Sequence, residues 1–179
     1  YLLVANVFWH RPQAYYDLAD WRGTAALDGG AICNQASHYV DLLQWLGGPV
    51  ESVRAYTATL ARQIETEDTG CAIFTFKQGG IAALNVTMLT FPRNLQGSLT
   101  ILGEKGTVQI GGMAVNKIEH WEFSTDEEAD RLTDAMSTSP DSVYGFGHQA
   151  YYRNLLDSLK RGVTTVPDGN SGRQSLELI

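Results

Sequence analysis

The residue types best suited to chemistry in this sequence lie in "LDGGAICNQASHYVDLLQWLGG", residues 27–48, where Asn34, His38 and Asp41 sit among apolar residues. An α-helix advances about 100° per residue, so these three side chains fall within roughly 60° of one another on a regular helix. Ile32, Ala36, Tyr39, Val40, Leu43 and Leu46 recur at the spacing of a core-facing stripe. The polar stripe faces either solvent or a site. A lone helical histidine is commonly structural or solvated. Here it lies one turn after an amide, and Gly29-Gly30 opens the helix beside an aromatic loop. Histidine is the usual general base near neutral pH. An amide one turn away can hold a hydroxyl without taking its proton. Asp41 can orient the imidazole or cap a neighbouring element. No Ser or Cys arrangement suggests a covalent intermediate, and no His/Asp/Glu cluster suggests a metal.

The segment before this helix, "HRPQAYYDLADWRGTAALDGG", carries Tyr15, Tyr16 and Trp21 with Arg11 and Arg22, and Trp9 precedes it. These rings either cover the helix or line a pocket. Aromatic faces pack on sugars and nicotinamide, and arginines hold anions. We assign Trp9, Arg11 and Tyr16 to a substrate pocket on this reasoning.

The elements that must position these residues follow from periodicity. "YLLVANVFW" (1–9) reads as a strand. The helix ends at Gly47-Gly48-Pro49. "VESVRAYTATLA" (50–61) alternates as a strand. "TGCAIFTFKQGGIAALNVTMLT" (69–90) and "GSLTILGEKGTVQIGG" (97–112) read as hairpins turning at Gln78-Gly79-Gly80 and Gly103-Glu104-Lys105-Gly106. "NKIEHWEF" (116–123) is a further strand, 124–144 a polar loop, and 146–162 an amphipathic helix with Tyr151, Leu155, Leu156 and Leu159 inward. This order predicts an α+β domain: an open, mostly antiparallel or mixed β-sheet with helices on one face. "GFGHQA" (145–150) matches a dinucleotide fingerprint only formally, because no strand precedes it. "LGEKGT" (102–107) leads into a strand and is a turn.

Composition narrows the partners. The 179 residues are 44% hydrophobic, enough for one domain with a sizeable core. Thirteen basic against twenty acidic residues give a net charge of −7 without a basic stripe, which argues against nucleic acid. No apolar run approaches the roughly 20 residues of a membrane span, and no signal peptide is visible. Two cysteines, Cys33 and Cys71, fit a reducing, cytoplasmic setting. The chain opens without Met inside an apolar run and closes on "SLELI". The expectation is a fragment of a longer protein.

"WRGTAALDGGAICNQASHYVDLLQWLGG", "ILGEKGTVQI" and "YYRNLLDSLKRGVTTVPDG" together resemble the second domain of the glucose-fructose oxidoreductase/inositol dehydrogenase/MocA family. Its motif runs Gly-Gly, an acidic or amide residue, His four later and Asp three after that, matched by Asn34, His38 and Asp41. With "VFWHRPQAYYD", the string looks most like the sugar-nucleotide 3-dehydrogenases of lipopolysaccharide synthesis, the WlbA/WbpB type. The resemblance implies an N-terminal Rossmann domain that binds NAD and supplies a catalytic Lys. It makes residues 1–179 the C-terminal domain, which carries the substrate site and mediates assembly into a homo-dimer or homo-tetramer through the sheet. It further implies that His38 acts at the reacting hydroxyl, that Asn34 contacts substrate, that Asp41 supports them, and that Trp21 and Arg22 contact the cofactor. The implied substrate is a UDP-linked N-acetyl sugar or its uronic acid. Other readings are a different sugar or polyol dehydrogenase, or a non-catalytic module for oligomerisation or sugar-nucleotide binding.

Overall fold

A computed structural model describes residues 1–112, 115–125, 137, 146–165 and 167–179. Strand β1 (Leu2–Phe8) leads into a short helix α1 (Gln13–Tyr16), a π-helical turn (Ala31–Gln35) and helix α2 (Ala36–Gly47). Strands β2 (Val50–Ala58), β3 (Thr69–Phe76), β4 (Ile81–Thr87), β5 (Gln96–Leu102), β6 (Gly106–Gly111) and β7 (Lys117–Phe123) follow, then helices α3 (Gly147–Arg161) and α4 (Gly169–Leu176). The expected 124–144 loop falls mostly outside the described residues.

The seven strands form one sheet in the order β2-β3-β4-β1-β5-β6-β7. The hairpins β3–β4 and β5–β6 pair antiparallel as their turns require. Strand β1 enters between them, parallel to β4 and antiparallel to β5. The sheet is therefore mixed and open.

Alternation sets the core. Leu3, Ala5 and Val7 of β1 share a face with Ala82, Leu84 and Val86 of β4, and all six are buried. Helix α2 lies on that face with Ala36, Tyr39, Val40 and Leu43 inward. Leu46, expected inward, is 40% exposed and borders an apolar groove with Ile101 and Ile110. The opposite sheet face carries Leu2, Val4, Phe8, Ile73 and Ile81, none of them buried.

Two expectations need correction. The apolar stripe of α3 is real, but Tyr151, Leu156 and Leu159 are exposed and only Leu155 is half-buried. Periodicity reveals a stripe without revealing what covers it. The helix that begins at Gly30 also starts as a π turn, so the assumed 100° step does not hold from Ala31 to Gln35.

Candidate functional site

The π turn is built by its surroundings. Gly30, its N-cap, sits at φ 87°, and a Cβ there would run into the Glu67 carboxylate. That carboxylate replaces the missing cap: Oε1 accepts from the Ile32 N–H at 2.8 Å, and the Glu67 carbonyl accepts from Ala31 at 3.1 Å. Next to it, Asp68 is fully buried and accepts from the Leu60, Ala61 and Arg62 N–H groups at 3.0, 2.9 and 3.0 Å. Burial pushes its carboxyl pKa up, but these three donors and Thr69 more than offset that and hold it below the usual range.

The long connection is ordered by the same wall. Gln63 N–H donates to Gln13 Oε1 at 2.8 Å, Ala25 N–H to Glu65 Oε2 at 3.0 Å, and Arg62 Nε to the Arg11 carbonyl at 2.7 Å. This packing brings Arg11, Tyr15, Arg22, Asn34 and Gln35 together. The Arg11 guanidinium lies 5.2 Å from the ring centres of both Trp9 and Tyr15, and Arg22 lies 4.1 Å from Tyr15 and 4.9 Å from Trp21. Neither arginine pairs with a carboxylate among the described residues. The Arg22 guanidinium finds no hydrogen-bond acceptor there, and the Nε atoms of both arginines are buried without a partner. A partly buried guanidinium with open donors suits an anion or a cofactor's polar edge.

The residues singled out from sequence do not all converge. Asn34 turns toward the loop, bonded to Asp28 and Gln35. His38 is exposed, and its imidazole makes no hydrogen bond among the described residues. It borders two hollows. One, about 550 Å³, lies between α2 and α4 and includes Asp41 and Ser175. The other, about 360 Å³, is an apolar groove with Trp9, Tyr39 and Trp45. Asp41 ties α2 to α4, accepting from Ser175 Oγ at 2.5 Å, and no bond joins it to the imidazole. Trp9 is half-buried, edge-on to Tyr39 at 6.3 Å, and also borders a 790 Å³ cavity with His10, Asn94 and Gly97. Trp21 is 40% exposed.

Tyr16 is 7% exposed. Burial, then the nearby Tyr15, Asp28 and Asp68, push its phenol up to about 12. The Arg11 and Arg22 guanidinium groups flank Tyr15, whereas Tyr16, assigned to a substrate pocket from sequence, packs inside. Burial likewise pushes Tyr39 up to about 12. Asp28, Gln35 and Glu67 escaped the sequence reading. Asp28 stood in the quoted motif just before Gly29-Gly30, the one signal for it.

Among the described residues no group of three or more His, Cys, Asp or Glu is placed to hold a metal, and no helix is long and apolar enough to cross a membrane. Cys33 and Cys71 are free.

An open mixed sheet with a glycine-led helix carrying Asn34, His38 and Asp41 defines a class, and a family model described as the GFO/IDH/MocA C-terminal domain matches residues 1–109. The chain belongs to this family. It is similar to the WlbA dehydrogenase from Bordetella pertussis, solved in complex with NADH and UDP-GlcNAcA: 56% identity over 99% of this chain and 51% of that one, TM-score 0.92. The WlbA enzyme from Chromobacterium violaceum, solved with the same ligands, is also 56% identical over 99% of this chain and 50% of its own, TM-score 0.89. A levoglucosan dehydrogenase shares the fold, TM-score 0.75, at 15% identity over 98% of this chain and 54% of its own. The chain thus spans about half the length of these solved relatives. A search of curated proteins returned no match.

Proposed function

We infer that residues 1–179 form the C-terminal, substrate-binding half of an NAD-dependent dehydrogenase that oxidises the C3 hydroxyl of a UDP-linked N-acetyl sugar or uronic acid in lipopolysaccharide synthesis. The supporting observation is 56% identity across 99% of the chain to WlbA structures bound to NADH and UDP-GlcNAcA. NAD, when bound, supplies the hydride acceptor. The residues here fit only its edge: Arg22 has open donors beside the exposed Trp21 ring, whereas among the described residues no strand leads through a glycine loop into a helix, as a pyrophosphate site requires. The expected Rossmann half holds the rest.

In this reading His38 takes the proton of the reacting hydroxyl. Its exposure on α2, with no hydrogen bond to its ring among the described residues, leaves both ring nitrogens available. Asn34, Arg11 and Trp9 position the sugar, with Tyr15 in the place first given to Tyr16. Asp41 supports the site by locking α4 against α2. The uncovered sheet face, with Leu2, Ile73 and Ile81 exposed, is the surface through which copies pair into a homo-dimer or homo-tetramer. Free cysteines suit the cytoplasm.

His38→Ala in the full-length protein tests the assignment. A positioned general base contributes about 10²–10⁴-fold to kcat, so NADH formation should fall by that much while binding of UDP-GlcNAcA changes little. A folded variant within about threefold of the parent kcat, well below that range, defeats the role.

A further inference from the structure

We propose that Asp28 is a positioning residue, which through a hydrogen-bond relay ending at Arg11 fixes the way the Asn34 amide is turned toward substrate. This rests on the reading of Asn34 as a substrate contact.

The relay has four members. Asp28 is 9% exposed; its Oδ2 accepts from the Gly23 N–H at 2.6 Å and its Oδ1 from Asn34 Nδ2. Asn34 Oδ1 accepts from Gln35 Nε2 at 2.6 Å. Gln35 Oε1 accepts from Arg11 Nη2 at 2.7 Å, and Gln35 Nε2 also donates to Tyr15 Oη at 3.3 Å. Consecutive side chains on an α-helix diverge. Asn34 and Gln35 lie in the π turn, and there their amides meet.

The two ends give the relay its direction. An ionised carboxylate only accepts hydrogen bonds, and a guanidinium only donates them. An amide is nearly symmetric in shape, so its orientation comes from its partners. Asp28 requires the Asn34 NH₂ group, which leaves Asn34 Oδ1 for the Gln35 NH₂ and Gln35 Oε1 for Arg11. Turning either amide over would set donor against donor at one junction and acceptor against acceptor at the next. An amide has two N–H donors and two acceptor lone pairs. The relay uses one of each on Asn34, so the remaining N–H and lone pair are presented to substrate in one sense only.

The relay can be reversed by isosteric changes in the full-length protein. In Asp28→Asn, the new side-chain oxygen keeps the Gly23 N–H and its NH₂ then opposes the Asn34 NH₂. In Gln35→Glu, a carboxylate oxygen opposes Asn34 Oδ1. In the double variant every junction is matched again, with Asn34 turned over and Arg11 facing a carboxylate. Each single variant is expected to melt below the parent, and the double to recover most of the lost Tm. KM for UDP-GlcNAcA is expected to stay raised by about tenfold in the double, the loss of about 1.4 kcal/mol of binding. A purely structural role would restore both quantities together. A double variant without recovered Tm, or one that does not fold, overturns the relay. A double with recovered Tm and parental KM overturns the positioning role. Asn34→Ala separates the remaining case: parental KM there removes the substrate reading of Asn34 itself, and the positioning role with it, whatever the melting data show.

Discussion

Helices α2 and α3 carry the same kind of apolar stripe and meet different surroundings. On α2, Tyr39, Val40 and Leu43 are 1–2% exposed against β1 and β4. On α3, Leu156 is 56% and Leu159 66% exposed, and the residue it buries is Ser158. Both patterns predict a helix with a core face. Only one has its core among the described residues of this chain. The difference extends to polar anchors. Glu67 holds the turn that leads into α2, and Asp41 ties α2 to α4. The described hydrogen bonds of α3's side chains stay within its own backbone.

That contrast yields graded expectations for the chain studied alone. Leu43→Ala should cost the most, about 2–5 kcal/mol, the range for a large-to-small change in a packed core. Urea unfolding checks it, and a loss below about 1 kcal/mol would mean that α2 is not seated as described.

Asp68→Asn comes next, at about 2 kcal/mol near neutral pH, since three part-buried N–H donors lose a buried charged acceptor. Its sign with pH follows from the lowered carboxyl pKa. A carboxylate with a depressed folded-state pKa stabilises fully above its unfolded value of about 3.9, and the contribution is lost as pH falls from there through the folded value. The parent should therefore lose stability in acid more steeply than the variant. Parallel acid limbs in urea titrations would contradict the anchor.

Leu159→Ala should do least, within about 0.5 kcal/mol, as expected for an exposed site. A loss as large as that of Leu43→Ala would erase the contrast between the two helices.

The α2 stripe was legible in sequence because Ala36, Tyr39, Val40 and Leu43 repeat at the helical period. The hairpins β3–β4 and β5–β6 were legible for a similar reason, as turn residues sit between alternating runs. The candidate site was legible only as residue types. Asn34 and His38 were found from spacing, but their surroundings differ: Asn34 joins Asp28 and Gln35, while His38 borders the hollow next to α4. Tyr15 and Tyr16 are adjacent and chemically identical in sequence, and only the packing of Gly23 and the loop decides which is buried.

Sequence alone thus determined the strands, the apolar stripes of α2 and α3 and the family motif, because turn chemistry and side-chain period act between near neighbours; the short α1 and α4 carry no such stripe and came only with the structure. The tertiary structure decided that β1 lies parallel to β4 between the two hairpins. It also decided that Glu67, thirty-odd positions away, caps the turn at Gly30, and that Asp28 and Arg11 give direction to the amides between them. Most of these contacts join residues far apart along the chain, and the geometry of all of them depends on backbone paths that no local pattern encodes.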